Sequence, residues 1–346
     1  MFYVTIDCGT TNSRAYIVDS RGKVYGKAVK QVGVRDTAVT GSKDTLREGL
    51  REVIEQAARE AGTAVGELGA VLSSGMITSE IGLFEIPHLT APAGTEQLAE
   101  TITRVPDAGI VDGGIPVYFV RGIKNHMDGE AGTAPSRMAG ELDFMRGEET
   151  QTAGILMQPA TKLPAVIVIL SSHMKFIGVD SHGMIRSSLT TMSGQVYDAV
   201  RNHTFIGKSV IRGENDEEKP KDYFDREVID DAVEWVEKAG LLRSLMFPRF
   251  MDVLLKTRWY ERGLFLEAMI AADDMQSVGQ LKSQGIREVS DIILVGKEER
   301  CRLYEYILQK KFPASCIRSI SDEKEIDELS IQGILAIARR AGIVDE

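Results

Sequence analysis

A pattern of three short apolar segments occurs twice in the chain, and it limits the folds that the chain can adopt. Residues 2–7 and 14–19 read as strands separated by a small polar loop, and the turn DSRG at 19–22 leads into a third strand. The same order returns later, with the turn DSHG at 180–183, 161 residues after the first. A repeat on this scale predicts an α/β protein of two similar domains that face each other across a cleft. The alternative is two unrelated α+β domains that share a common turn.

Outside the two strand meanders the chain reads mostly as helices. Apolar spacing and stop signals predict helices at about 42–62, 194–204, 222–239, 241–256, 260–284 and 326–341, and a short strand at 291–296. The segment MQPATKLP marks the predicted boundary, which gives an N-terminal domain at 1–158 and a C-terminal domain at 159–346. The last helix is a candidate to pack back onto the first domain. The Gly-, Ala- and Met-rich stretch at 124–143 is predicted as a surface excursion or a flap.

Composition argues against several classes of partner. The 346 residues carry a net charge of -10, with basic residues scattered among acids, which disfavours a nucleic acid or an anionic membrane as partner. Cys8, Cys301 and Cys316 lack the CxxC spacing of a zinc site and are too few for a disulfide framework, so they suit a reducing compartment. No signal-peptide pattern and no apolar run of about 18 residues is found. We therefore predict a cytoplasmic protein that acts on a small molecule, with a homodimer as an open option.

The loop between the first two strands, DCGTTNSR at 7–14, is the first candidate site. Gly9 permits close backbone approach, and the N–H groups of residues Gly9 to Asn12 can form an anion-binding concavity. The side chains that can donate to phosphate oxygens are those of Thr10, Thr11, Asn12 and Arg14. Asp7 could hold Mg²⁺ through water, because that ion keeps several waters and takes few carboxylates. The alternative is an ordinary hairpin in which Asp7 caps a turn and Asn12 supplies left-handed backbone geometry.

A second candidate site lies in the segment MRGEETQ at 145–151. Glu148 and Glu149 follow Arg146 at a predicted helix N-terminus, where the helix dipole favours negative charge. A carboxylate at this point could take a proton from a substrate hydroxyl, and the arginine could bind a carboxylate or a phosphate. The alternative is that the glutamates serve only the electrostatics of the helix start.

Several segments resemble known families. The loop DCGTTNSR looks like the first phosphate loop of the actin-like ATPase and sugar-kinase superfamily, and MRGEETQ closely resembles a signature of the 2-dehydro-3-deoxygalactonokinase family. Further segments are similar to that family's pattern in the same order: GMITSEIGLFEIPHLTAPAG at 75–94, SSHMKF at 171–176, TMSGQVYDAVRNHTFIG at 191–207 and FPRFMDVL at 247–254. The resemblance covers most of the chain.

The resemblance implies a fold of two duplicated actin-like, ribonuclease H-like domains and an activity in galactonate degradation. The implied reaction is ATP- and Mg²⁺-dependent phosphorylation of 2-dehydro-3-deoxy-D-galactonate at its 6-hydroxyl. The implied phosphate- and nucleotide-binding residues are Gly9, Thr10, Thr11, Asn12, Ser172, His173, Lys175 and Gly296. Asp7, Glu148 and Glu149 are the implied catalytic residues, with Asp7 also the metal-binding residue. The implied substrate-binding residues are Arg14, Gly75, Met76, Arg146 and Arg249.

The chain departs from the family pattern at four positions. Cys8 stands where the family usually has Trp, Ser171 where it has Gly, Gln195 where it has Glu, and Lys297 where a second Gly is expected. The departure at Ser171 bears most on nucleotide binding, because Gly accepts backbone approach and positive φ that Ser adopts only with strain. Three alternatives therefore stay open: a kinase for a related keto-deoxy sugar acid, a nucleotide hydrolase, and a non-catalytic sensor of sugar acids.

Overall fold

The computed structural model describes residues 1–106, 108–112, 114–127, 133–286 and 288–345, and residues 128–132 of the stretch predicted as a surface excursion lie outside them. The strands are β1 (Phe2–Cys8), β2 (Ser13–Asp19), β3 (Val24–Lys30), β4 (Leu68–Gly75), β5 (Leu89–Thr90), β6 (Thr103–Val105), β7 (Val117–Phe119), β8 (Ile123–Lys124), β9 (Phe144–Met145), β10 (Ala165–Ile169), β11 (Met174–Val179), β12 (Ile185–Thr191), β13 (Asp291–Val295) and β14 (Cys316–Ile320). The helices are α1 (Val34–Thr40), α2 (Asp44–Ala61), α3 (Thr95–Glu100), α4 (Pro135–Met138), α5 (Glu148–Leu156), α6 (Ser193–His203), α7 (Gly207–Val210), α8 (Arg226–Ala239), α9 (Leu241–Ser244), α10 (Phe247–Val253), α11 (Trp259–Ser283), α12 (Glu298–Lys311) and α13 (Glu323–Arg340).

The chain forms two compact units. The first contains Met1–Ala165, Gly178–Ser188 and Asp322–Glu346, and the second contains Val166–Ile177 and Leu189–Ser321. The predicted domain boundary near residue 158 stays a prediction.

Within the first unit, the last helix packs closely on α5. A Cβ atom on Gly333 of α13 would lie 1.8 Å from the carbonyl oxygen of Thr150, and one on Gly154 of α5 would lie 2.1 Å from that of Leu329. Real side chains never approach backbone so closely, so a glycine on each helix is what lets the two backbones meet. This contact anchors the helix that carries the MRGEETQ glutamates.

The main sheet of the first unit has the strand order β3-β2-β1-β4-β7-β6. β1 runs antiparallel to β2 and parallel to β4, and β2 runs antiparallel to β3, as the meander predicts. Helix α2 covers one face of this sheet, because its apolar residues recur at helical spacing. The core on this face includes Val4, Ile6, Ile17, Leu46, Leu50, Val53 and Ile54.

The second sheet repeats this topology with the order β12-β11-β10-β13-β14, in which β13 and β14 are parallel. In both sheets the three strands of the meander lie side by side in the order third, second, first. The strand next to the first one comes later in the chain, after one or more helices. This doubled arrangement confirms the predicted α/β class with two actin-like domains. The placement of the domains across a cleft stays a prediction.

The two turns that revealed the repeat have the same hydrogen bonds. The Asp19 carboxylate accepts the N–H groups of Arg21 and Lys23 at 2.9 and 3.0 Å. At the second turn, the Asp180 carboxylate accepts those of His182 and Met184 at 2.8 and 3.0 Å. The last residues of the two turns, Gly22 and Gly183, have φ angles of 84° and 77°, a backbone conformation that favours glycine.

The single helix predicted at 241–256 is wrong, because the structure has α9 and α10 there instead. Pro248 lies in the first turn of α10. Proline has no N–H and its ring clashes with a preceding helical turn, so it begins a helix more readily than it continues one. The helix predicted at 260–284 is confirmed as α11. Among the described residues, no helix is long and apolar enough to span a membrane.

Candidate active site

The predicted first phosphate loop, at 7–14, connects β1 to β2, and its backbone is held from one side. Gly9 donates its N–H to the Asn12 carbonyl at 2.9 Å. The carbonyls of Gly9 and Thr10 accept the N–H groups of Val34 and Arg35, at 3.3 and 2.9 Å, from the start of α1. The N–H groups at the start of α1 therefore hold the loop in shape by bonding to the loop's carbonyl groups.

The opposite side of this loop offers donors to solvent. Thr10, Thr11 and Asn12 are exposed, and within the described residues no hydrogen bond is recorded from their backbone N–H groups. The N–H of Gly9 is already used inside the loop, so the expectation that it faces an anion is wrong for this conformation. An anion at this loop would be met by the N–H and side-chain groups of the three residues that follow Gly9.

Asp7 lies at the end of β1 and is paired with Arg14 of β2. The carboxylate Oδ2 is 3.5 Å from the guanidinium Nη1, and about a third of each side chain is exposed. Desolvation raises the pKa of the Asp7 carboxyl, Arg14 opposes this, and the negative charge of Asp327 adds to the rise. A cation beside Asp7 would favour its ionised form.

The Cys8 side chain faces the core of the first unit. It is fully buried, and burial raises the pKa of its thiol to about 12. The thiol is therefore neutral and serves as a small apolar residue where the family usually has Trp.

Two glycines bring the second candidate segment against the end of β1. In the parallel pairing of β1 with β4, Cys8 lies opposite Gly75. A Cβ on Gly75 would be 2.6 Å from the carbonyl oxygen of Cys8, and one on Gly147 would be 3.4 Å from the Cα of Gly75. The hydroxyls of Ser74 and Thr150 are 3.3 Å apart beside this contact. The first phosphate loop and the start of α5 are thus neighbours in the first unit.

Arg146 is braced by groups from the segment that follows β4. Its Nη1 donates to the Thr78 hydroxyl at 2.5 Å, and its Nη2 donates to the Ile86 carbonyl at 3.0 Å and lies 3.4 Å from His88 Nδ1. Thr78 ends a short turn, Met76–Thr78, that begins directly after Gly75. The sequence did not single out Thr78 or His88, because no local pattern tells which residues will surround an arginine about 60 positions away.

Glu148 and Glu149 occupy different environments at the start of α5. Glu148 is half-buried and accepts the Arg146 N–H at 3.1 Å. Glu149 is fully buried, and both of its carboxylate oxygens lie 2.8 Å from the Gly147 nitrogen. Desolvation, with the nearby charge of Glu148, raises the pKa of Glu149 to about 8, against backbone N–H groups and Arg146 that lower it. Only Glu148 has solvent access in this conformation.

The second unit contains the residues of the other predicted phosphate loop. Ser171, Ser172 and His173 are exposed between β10 and β11, and the Ser171 hydroxyl donates to the His173 carbonyl at 2.6 Å. Lys175 is buried in β11, where its ammonium donates to the Thr190 hydroxyl at 2.5 Å. Gly296 directly follows β13 and lies against the residue before the loop, since a Cβ on Gly296 would be 2.8 Å from Leu170 Cβ.

Arg249 lies on α10, and its recorded partners are not part of this loop. Its Nη1 is 3.1 Å from the Asp252 carboxylate and 3.5 Å from the Ser209 hydroxyl. The buried Arg262 shares the same carboxylate, at 3.5 Å. Two guanidinium groups and one carboxylate leave a net positive charge, and the half-buried Arg249 is the partner that an anion could reach.

These arrangements have the features that phosphoryl transfer needs: donors for phosphate oxygens, a carboxylate beside them, and a second carboxylate close to the same strand ends. Together with the doubled actin-like fold, they are typical of phosphotransferases that take an alcohol as acceptor. The model of the 2-keto-3-deoxy-galactonokinase family matches residues 7–336. The chain belongs to this family.

Relatives agree with this assignment. The chain is 27% identical over 256 residues to the 2-dehydro-3-deoxygalactonokinase of Escherichia coli K12, a match that covers 74% of this chain and 70% of that protein. It is 25% identical over 216 residues to a probable 2-dehydro-3-deoxygalactonokinase of Rhizobium meliloti, with 62% and 60% covered. A crystal structure of a candidate 2-dehydro-3-deoxygalactonokinase from Sinorhizobium meliloti has the same fold, with a TM-score of 0.71 at 21% identity, and covers 97% of this chain and 98% of that one.

Proposed function

We propose that the protein transfers a phosphoryl group from ATP to the 6-hydroxyl of 2-dehydro-3-deoxy-D-galactonate. Membership of the family supports the reaction class. The observation that carries the proposal is the contact of Gly147 with Gly75, which places the MRGEETQ glutamates beside the first phosphate loop. A carboxylate that accepts the hydroxyl proton and a loop that binds the transferred phosphate must be neighbours in such an enzyme.

The residues of the first loop fit a magnesium nucleotide. The exposed N–H and side-chain donors of Thr10, Thr11 and Asn12 suit the phosphates, and ATP when bound supplies the phosphoryl group. Asp7 suits Mg²⁺ as a single carboxylate that acts directly or through water. Among the described residues no group of three or more His, Cys, Asp or Glu could hold a metal ion, and a magnesium ion bound mainly by phosphates and water needs no such group.

We assign the base to Glu148. Its half-buried carboxylate is accessible, whereas Glu149 is fully buried and accepts the N–H of Gly147. In this proposal Glu149 shapes the entry of α5, and Glu148 accepts the hydroxyl proton. Arg146, which Thr78 orients, binds the anionic substrate with Arg14, Gly75 and Met76 around it.

We propose ligand-binding roles for residues of the second unit as well. Ser172, His173, Lys175 and Gly296 would serve the nucleotide, and Arg249 the carboxylate of the sugar acid. The N-terminal domain at 1–158 then carries the first phosphate loop and the other sugar-acid residues, and the C-terminal domain at 159–346 carries the adenosine site and Arg249. We also propose that the enzyme works in the cytoplasm, and as a homodimer, which sedimentation velocity of the purified protein would test.

The direct test is a panel of keto-deoxy sugar acids, each incubated with Mg-ATP and followed by ADP release. We expect release to depend on the acid and to be fastest with the galactonate. Phosphorus NMR of the product identifies the phosphorylated hydroxyl. Release that does not depend on the acid would favour a nucleotide hydrolase. A faster reaction with another acid would reassign the substrate and leave the kinase class intact.

A calorimetric titration separates a kinase from a sensor. We expect Mg-ADP to bind to the wild-type protein in the absence of any sugar acid. Binding of the sugar acid with no binding of Mg-ADP or Mg-ATP would sink the kinase proposal and favour the non-catalytic sensor.

A further inference from the structure

A buried carboxylate that the proposed reaction does not use lies in the second unit. Asp274 is in the middle of α11 and only 3% exposed. One of its carboxylate oxygens accepts a hydrogen bond from the Ser193 hydroxyl, and the other accepts one from the Tyr304 hydroxyl at 2.5 Å. The Thr191 hydroxyl lies 2.6 Å from that of Ser193. Burial raises the pKa of Asp274, and these hydroxyl groups lower it.

Ser193 connects this carboxylate to the second phosphate loop. It is the first residue of α6, and the two residues after it touch the loop directly. A Cβ on Gly194 would lie 2.5 Å from the Ser171 carbonyl oxygen, and the Gln195 N–H donates to the Ser172 carbonyl at 3.1 Å. Any movement of the first turn of α6 would therefore move the loop backbone.

Helix α12 reaches the same loop from another direction. Its Arg300 donates to the Ser171 carbonyl at 2.9 Å, and the guanidinium lies 5.8 Å from the centre of the Tyr304 ring. Tyr304 is fully buried and follows Arg300 by one helical turn. Asp274 thus joins the two elements that touch Ser171, namely α6 through Ser193 and α12 through Tyr304.

We infer that Asp274 and Tyr304 are positioning residues that hold the second phosphate loop in the shape that binds a nucleotide phosphate. The nucleotide part of this inference rests on the proposed function. Buried polar groups that are all hydrogen-bonded fix one arrangement of the elements that carry them. Ser171, which stands where the family has Gly, keeps a backbone conformation open to any residue, because among the described non-glycine residues only Lys256 has a positive φ.

The test compares two tyrosine variants of the same helix. Tyr304→Phe removes the hydroxyl that donates a hydrogen bond to Asp274, and it keeps the ring beside Arg300. Tyr306→Phe is the matched control, because its hydroxyl donates to the exposed Asp230 at 3.0 Å, away from the loop. Asp274→Asn is a second test variant that keeps the shape of the side chain. The measurements are Mg-ADP affinity by calorimetry, KM for each substrate, and hydrogen exchange of the loop amides.

We expect Tyr304→Phe to weaken Mg-ADP binding about tenfold, as the loss of a buried hydrogen bond to a carboxylate implies. KM for ATP should rise by a similar factor, while KM for the sugar acid stays within about twofold, a split that general destabilisation would not give. Amides of the loop at 171–173 and of the first turn of α6 should exchange faster than in the wild type. The control variant should match the wild type in all three measurements.

Unchanged loop exchange in both Tyr304→Phe and Asp274→Asn would overturn the inference, as would equal effects of Tyr304→Phe and Tyr306→Phe. Hydrogen exchange needs no nucleotide, so it tests the loop even if the proposed function fails. Faster loop exchange in a protein whose wild type does not bind Mg-ADP would reject the kinase proposal and, with it, the nucleotide role of the loop. Asp274 would then still position the loop, but the loop would have no role in nucleotide binding.

Discussion

The backbones of Gly75 and Gly147 approach each other closely: a Cβ on Gly147 would lie at van der Waals distance, 3.4 Å, from the Cα of Gly75. Both residues have positive φ angles, 92° and 111°. The first belongs to the end of β4, beside the first phosphate loop, and the second precedes the helix of the paired glutamates. The spacing of the candidate base from the phosphate loop is therefore set by backbone, which varies less than side chains do.

Gly75→Ala should destabilise the protein and remove most of its activity. The new methyl group would meet the Cys8 carbonyl oxygen at 2.6 Å and would also have a positive φ. We expect a loss of roughly 2–4 kcal/mol in the free energy of unfolding, from backbone strain and overpacking together. Urea denaturation measures it. Gly62→Ala is the control, because Gly62 has φ of 70° with nothing within 4 Å, so its loss should be only the strain of about 1 kcal/mol.

Glu148→Gln should lower kcat by a factor of roughly 10² to 10⁴, the usual contribution of a general base, with little change in KM for the sugar acid. Glu149→Gln keeps the shape of a buried side chain and should leave kcat much closer to that of the wild type. Steady-state kinetics of both variants checks the assignment. The reverse order of effects would make Glu149 the base, and two unaffected rates would remove the pair from the chemistry.

The stability of the protein should depend on pH through Glu149. Its pKa is raised from 4.5 to about 8 in the folded protein, so the folded state keeps a proton that the unfolded state loses above pH 4.5. The stabilisation that this proton gives is complete below pH 4.5 and is lost as pH rises toward about 8. Over this range the free energy of unfolding falls by up to about 1.4 kcal/mol per pH unit. Urea titrations at pH 5, 6, 7 and 8 measure it. Glu149→Gln should flatten the profile, and an unchanged slope would assign it to other groups.

Thr78→Val should raise KM for the sugar acid about tenfold, because Arg146 loses the hydroxyl that orients its guanidinium. The two side chains have nearly the same shape, so packing is preserved. Ser79→Ala removes a neighbouring buried hydroxyl, which donates to the Met76 carbonyl at 2.7 Å and does not touch Arg146, and should leave this KM unchanged. Equal effects of the two variants would mean that the segment, and not the arginine, is responsible.

Arg249→Gln should weaken binding of the sugar acid and leave KM for ATP unchanged. The variant removes the accessible member of a pair of arginines that share the Asp252 carboxylate, and with it the net positive charge of the group. We expect KM for the acid to rise by about tenfold or more. Arg212→Gln, at an exposed pair with Glu218, is the control. An unchanged KM would remove Arg249 from the acid site.

Features that depend on neighbours in the chain could be predicted from the sequence. The turns at 19–22 and 180–183 form because an Asp side chain accepts N–H groups two and four positions on and a Gly takes the positive φ. The strands of both meanders and helix α11 were predicted for the same reason, since alternation and helical spacing are local patterns. The break between α9 and α10 was missed although Pro248 marks it.

Features that depend on tertiary contacts could not be predicted. The half-buried Glu148 and the fully buried Glu149 differ because of what packs over each, which two adjacent letters do not reveal. Thr78 and Arg146, 68 positions apart, meet through a tertiary contact near the close approach of Gly75 and Gly147. For Asp274 the sequence does hold an indication, because this acid lies four positions from the apolar residues Ile270 and Val278 on the same helix face. An acid at such a position is typical of a buried carboxylate with hydrogen-bond partners on other elements.

The equivalent turns of Asp19 and Asp180 also give a register for comparing the two halves of the molecule with each other. Counted from the turns, Thr10 and Thr11 align with Ser171 and Ser172, and Arg14 aligns with Lys175. Each half therefore has two adjacent hydroxyl residues and, three positions after the second of them, a positively charged residue. The two loops therefore have the same length relative to their turns, and their sequences can be compared position by position without a gap.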